Sequence, residues 1–88
     1  MRVSGESMRG AGILDGDLVV VDRSLSAQAG HVVVAVVQGD MTIKRLRRLA
    51  SGRMLLQPEN PDFPEFVIGE DLPADIWGVV VAVVRKLR

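Results

Sequence analysis

Short valine-rich runs, each closed by glycine, proline or aspartate, recur along the whole chain. "DLVVVD" (17–22) lies between Asp15-Gly16 and the polar loop "RSLSAQAG", and reads as a strand. "HVVVAVVQ" (31–38) and "MTIKRLRRL" (41–49) flank Gly39-Asp40, a two-residue connection of hairpin type. "SG" at 51–52 turns the chain into "RMLLQ" (53–57), and the proline-punctuated loop "PENPDFP" (58–64) leads to "EFVI" (65–68). "DIWGVVVAVVRKL" (75–87) is the longest strand, with Gly78 a candidate bulge. Nothing longer than a turn carries helical periodicity. These elements predict a mostly β fold, a small curled antiparallel sheet or partial barrel, with residues 1–88 forming a single domain.

The last strand breaks the pattern. Residues 79–84, "VVVAVV", are apolar at every position, whereas a strand of a small antiparallel domain normally wets one face. Two readings follow: a central strand covered on both sides, or a strand whose second face meets another subunit. Left open to water it would invite aggregation.

Composition narrows the class. At 48% hydrophobic and 3% aromatic over 88 residues, the chain is ordered but small, with a modest core that a partner would help. Eleven basic and eleven acidic side chains cancel, so bulk charge drives it toward neither nucleic acid nor an anionic membrane. The absence of cysteine excludes disulfides and thiolate metal sites and fits a reducing compartment. No apolar run approaches the roughly 20 residues of a membrane span, and the N-terminus lacks an apolar signal core. The expectation is a cytoplasmic protein.

Candidate chemistry starts at "RVSGESMRG" (2–10). Ser7 between glycines is either a turn residue or a nucleophile. It does not fit the G-x-S-x-G elbow, since the second glycine, Gly10, comes one position late. A nucleophile needs a base. The single histidine, His31, follows Gly30 at the start of a strand, where turn capping or solvation is its ordinary role. One histidine and no cysteine make no metal cluster, and no cofactor motif is present. Of two lysines, Lys86 lies in the polar C-terminus, whereas Lys44 sits in "MTIKRL" among aliphatic residues. Walled in by aliphatic side chains, a lysine loses its proton more readily and can act as a base; arginine cannot. Taken alone, "IKRLRR" reads better as an amphipathic strand with a solvated, charged edge and Lys44 at the surface. The cluster Lys44, Arg45, Arg47 and Arg48 lacks the aromatics and helix of a DNA-reading surface.

In order along the chain, "SGESM", "DGDLVVVD", "AGHVVVAVV", "MTIKRL" and "LLQPENPDF" resemble the C-terminal peptidase domain of the LexA/UmuD-type self-cleaving serine peptidases (S24 family). The resemblance covers essentially the whole chain, and the step of 37 residues from Ser7 to Lys44 matches the family's spacing. The ending "IWGVVVAVVRKLR" is more similar to the UmuD branch than to the LexA repressor. The resemblance implies that Ser7 is the nucleophile and Lys44 its neutral base, and that the backbone amides of Glu6 and Ser7 form the oxyanion hole. It also implies that Met8 packs beneath the turn. It further implies a homodimer, built through the C-terminal strand, that serves the SOS response to DNA damage. A RecA–nucleoprotein filament would stimulate cleavage of an N-terminal arm, and the trimmed dimer would join a Y-family translesion polymerase. No cofactor or metal is implied.

The family cuts an Ala-Gly or Cys-Gly bond ahead of the serine, and the expectation is that this sequence lacks that arm and resembles a processed form. Ala11-Gly12 and Ala29-Gly30 are internal and expected to be structural. The competing reading is the peptidase and dimerisation half of a LexA-type repressor without its DNA-binding helices, and so without operator binding. A third is a β interaction module in which Ser7 only shapes a turn. Signal peptidases share a Ser-Lys dyad but need a membrane anchor, which the sequence does not contain.

Overall fold

The computed structural model describes residues 1–87 and consists of one open, six-stranded antiparallel sheet. Its strands are β1 (Leu18–Asp22), β2 (Val32–Val37), β3 (Asp40–Arg48), β4 (Met54–Gln57), β5 (Phe66–Val67) and β6 (Ala74–Val84), ordered β1-β6-β2-β3-β4-β5. The mostly β expectation holds. Among the described residues the helical content is a single 3-10 turn, Arg9–Ala11.

The β2–β3 hairpin turns one residue earlier than its sequence suggests. Val37 pairs with Asp40, so the loop residues are Gln38 and Gly39 rather than Gly39 and Asp40. Both have positive φ, 52° and 84°, the backbone of the type I′ turn whose twist matches its strands. Cross-strand pairing selects this register. It sets Val34 opposite Ile43 and Val36 opposite Met41, whereas the later turn would have set Val34 opposite Arg45.

β2, not β6, is the strand covered on both faces. Val34 belongs to one apolar cluster with Val3, Met8, Ile13, Val19 and Ile43. Val33, Ala35 and Val37 belong to the other, with Leu46, Leu56 and Val79. Period-2 alternation thus feeds a valine run into two cores, each buried valine contributing about 2 kcal/mol.

β6 serves two neighbours in turn. Residues 74–79 pair with β2 and residues 79–84 with β1. The register slips at both contacts, leaving Trp77 and Val81 as the extra residues that bend the strand. Gly78 sits at this bend for want of space: a Cβ there would lie 2.4 Å from Val21 Cγ1. Beyond the bend the edge of β6 away from β1 carries no strand among the described residues, and Val81, Val83 and Val84 are 51%, 39% and 53% exposed. β6 ends at Val84, short of the expected residue 87. There Arg85 turns back to pair with buried Asp17 at 2.6 Å and to donate to the Gly12 carbonyl at 2.8 Å. Among the described residues no helix is long and apolar enough to cross a membrane.

Candidate active site

β3 outruns its neighbour. Residues 45–48 pair with β4, but residues 40–44 are paired on the β2 side alone. The N-terminal segment lies against that stretch, and Met1, Val3, Ser4, Ser7, Met8, Met41, Thr42 and Ile43 line a cleft of about 120 Å³ between them.

Ser7 stands on a turn tied from three sides. Gly5 N–H donates to Asp15 Oδ1 at 2.8 Å. The Met8 carbonyl accepts from Ala11 and Ile13, and the Met8 side chain is buried in the first core cluster, beneath the turn. The third tie is the 58–60 loop. Glu59 N–H donates to the Ser7 carbonyl at 2.8 Å and its own carbonyl accepts from Gly10 N–H at 2.7 Å. Asn60 Nδ2 donates to the Glu6 carbonyl at 2.9 Å. Glu59 is held in turn by Arg45, whose Nε lies 2.6 Å from its carboxylate and whose guanidinium also donates to the Gly30 carbonyl. Among the described residues the N–H groups of Glu6 and Ser7 donate to no protein acceptor.

Lys44 comes to this turn from β3. The side chain is buried, with 6% of the residue exposed. Its Nζ donates to Ser7 Oγ at 3.0 Å, Thr42 Oγ1 at 2.6 Å and the Ile43 carbonyl at 3.1 Å. No carboxylate forms an ion pair with it among the described residues. Burial, which penalises the ammonium, pushes its pKa below the ordinary lysine value. A neutral Nζ has a lone pair, and the contact with Ser7 then reverses: the hydroxyl donates and the amine accepts.

Other candidates resolve into structure. His31 closes its own turn, its Nδ1 accepting from Gln28 N–H at 3.1 Å. The basic cluster is divided, since Lys44 is buried, Arg45 holds Glu59 and Arg47 donates to Gln57 Oε1. Gly12 and Gly30 take positive φ in hydrogen-bonded turns. A larger, open, polar hollow beside Gln57, Asn60 and Phe63 is not lined by Ser7 or Lys44. No group of three or more potential metal ligands is found among the described residues.

Sequence reasoning passes over Thr42, Glu59 and Asn60, and takes Arg45 only as one member of the basic cluster. Thr42 was open to discovery, because residues two apart on a strand share a face. The partners of Asn60 and Glu59 lie some 50 positions back in the chain, and no local pattern announces them.

Comparison with known proteins places this geometry in context. The Peptidase S24-like family model matches residues 1–81. The chain is 47% identical over 86 residues to a LexA repressor of Verminephrobacter eiseniae, covering 98% of this chain and 38% of that protein. It is 49% identical over 81 residues to Protein MucA of Salmonella typhimurium, covering 91% of this chain and 54% of that protein. A LexA repressor of Bordetella pertussis is 44% identical over 85 residues, 97% of this chain and 39% of that protein. The chain thus spans between about two fifths and about half the length of these relatives. With the family pattern matched from the serine turn to the final strand, the chain belongs to the Peptidase S24-like family.

Proposed function

We propose that this chain is a Ser-Lys peptidase domain that cleaves a peptide bond of an extended segment laid along the open edge of β3. The observation that carries the reading is the 3.0 Å contact between a buried, charge-unpaired Lys44 and Ser7. In the reaction, neutral Lys44 takes the proton of Ser7 Oγ as that oxygen bonds to the scissile carbonyl carbon. The carbonyl π electrons move onto oxygen, which the N–H groups of Glu6 and Ser7 stabilise. Collapse breaks the C–N bond, and Lys44 passes its proton to the leaving amine. Water then attacks the acyl-Ser7 carbonyl carbon, giving a proton to Lys44; the carbon–Oγ bond breaks, Lys44 returns that proton to Ser7 Oγ, and the acid is released. Thr42 accepts from Lys44 throughout and fixes where the amine sits. The free edge at 40–44 supports strand addition as the binding mode, and the small cleft suits a small residue such as alanine before the scissile bond.

The wider role is an SOS-response protein: an UmuD-type subunit whose arm is cut with RecA stimulation and whose trimmed dimer assists a translesion polymerase. Supporting it is the likeness of the chain's ending to that branch. The alternative, the peptidase half of a LexA-type repressor, is supported by 47% identity to such a repressor across 98% of the chain. Either role uses a homodimer, for which the unpaired edge of residues 80–84 and exposed Val81, Val83 and Val84 form a ready face. Val83→Lys should shift sedimentation from dimer to monomer; an unchanged profile removes this face as the interface.

Cleavage in trans tests the activity. The chain is mixed at alkaline pH with a peptide carrying an Ala-Gly or Cys-Gly bond, beside Ser7→Ala and Lys44→Ala. Cutting at that bond, lost in both variants, is expected; cutting that survives either substitution refutes the dyad.

A further inference from the structure

We infer that Asn60 is a positioning residue for the oxyanion hole, an inference that rests on the peptidase reading. The Asn60 amide is fixed at both ends. Its Oδ1 accepts from Asp62 N–H at 3.0 Å within its own loop, and its Nδ2 donates to the Glu6 carbonyl 54 residues away at 2.9 Å. Only the NH2 end can donate, so the first bond settles which way the amide faces.

The Glu6 carbonyl belongs to the same peptide group as the Ser7 N–H. That group is planar and trans, and its C=O and N–H point in opposite directions. Holding the carbonyl toward the 58–62 loop therefore turns the Ser7 N–H away from that loop. The cleft beside Ser7 is lined by residues 1–4, 7, 8 and 41–43, and by none of the 58–62 loop from which the Ser7 N–H is turned. Arg9 N–H also donates to the Glu6 carbonyl, at 3.2 Å, but it belongs to the same turn and moves with it. Asn60 is the donor that references the peptide plane to the sheet. Its neighbour Glu59, anchored by Arg45, grips the turn on either side through Ser7 and Gly10. Donation to the carbonyl also polarises the peptide group and makes the Ser7 N–H a stronger donor to a developing oxyanion.

Asn60→Asp isolates this role, because the carboxylate still accepts from Asp62 N–H but cannot donate to Glu6. Removing an oxyanion donor outright costs about 100- to 1,000-fold in turnover, so misdirecting one should lower kcat for the Ala-Gly peptide roughly 10- to 100-fold. KM and the thermal midpoint should stay within about twofold and a few degrees, since substrate contacts and core are untouched. Asn60→Ala should lose as much kcat. Amide NMR gives a reading independent of activity: in Asn60→Asp the Ser7 amide resonance should move while those of β2 remain in place. Unchanged kcat, or a loss confined to KM, overturns the inference while leaving the dyad intact. If the wild-type chain cuts nothing and Ser7 resists serine-directed reagents, the peptidase reading falls. An unmoved Ser7 amide in Asn60→Asp overturns the positioning claim regardless.

Discussion

Gly10 offers a sharp test of the grip that the 58–60 loop has on the serine turn. Its φ is not positive, so glycine is required there for space and not for conformation. A Cβ built at Gly10 lies 2.5 Å from the Glu59 carbonyl oxygen and 3.4 Å from its carbon. Ordinary contact for a Cβ begins at 3.4 Å, so the two backbones must part by roughly 0.9 Å. The oxygen that is struck is the acceptor of the 2.7 Å bond from Gly10 N–H, and the same Glu59 holds Ser7 at 2.8 Å. Overpacking costs about 1–3 kcal/mol and a weakened backbone hydrogen bond about 1. The lower entropy of an unfolded alanine returns about 0.5 kcal/mol. Gly10→Ala should therefore lose roughly 2–3 kcal/mol, read as an earlier urea midpoint at unchanged m-value. Because a 1 Å misplacement costs about 100-fold in rate, peptide cleavage should fall by a similar factor. Gly12→Ala is the control: Gly12 has φ 77° but open space around it, so it should cost about 1 kcal/mol from backbone conformation alone. A Gly10→Ala protein within 0.5 kcal/mol of wild type and within twofold in rate would refute the reasoning.

The other expectations concern charge and hydrogen bonding. Lys44→Met should stabilise the fold by on the order of 1 kcal/mol near neutral pH, where the buried ammonium is a cost. The depressed folded-state pKa means that this cost is fully present below it and is relieved as pH rises through it toward 10.5, so the gain should vanish in alkaline denaturation curves. Thr42→Val removes the 2.6 Å acceptor of Lys44; kcat should drop about tenfold, and the acid limb of the pH–rate profile should move to lower pH, because the ammonium loses an acceptor that favours it. The hydrogen bonds from Arg85 hold the Asp17 pKa at about 2, so the stability they provide is present above the unfolded value near 3.8 and lost as pH falls through about 2. Arg85→Ala should accordingly lower the melting temperature at pH 7, with the two curves converging in strong acid.

Strands were legible because valine runs and their glycine breaks are local. The hairpin turn falls one residue earlier than the sequence suggests because Gly39 alone suits either position, and only the pairing of Val34 with Ile43 decides between them. The last strand misled for a different reason. Its apolar run signals cover on both faces, but the bend at Gly78 sends residues 80–84 out along β1 with one side bare, while β2 takes the double burial. Within the site, Ser7 and Lys44 stood out through an ordered resemblance and through the scarcity of lysine. The residues that hold Ser7 in place did not, because Asn60 and Glu59 act through backbone groups some 50 positions away, and contacts of that kind leave no periodic trace.

The most direct measurement follows the modification of Ser7 by a phosphonylating reagent across pH, with the adduct mapped by mass spectrometry. A single adduct on Ser7 is expected, formed at a rate that climbs with pH along one ionisation below the ordinary lysine value and is abolished in Lys44→Ala. Labelling of Ser7 at the same rate in Lys44→Ala, or of exposed Ser4 and Ser24 as readily as Ser7, would contradict the dyad.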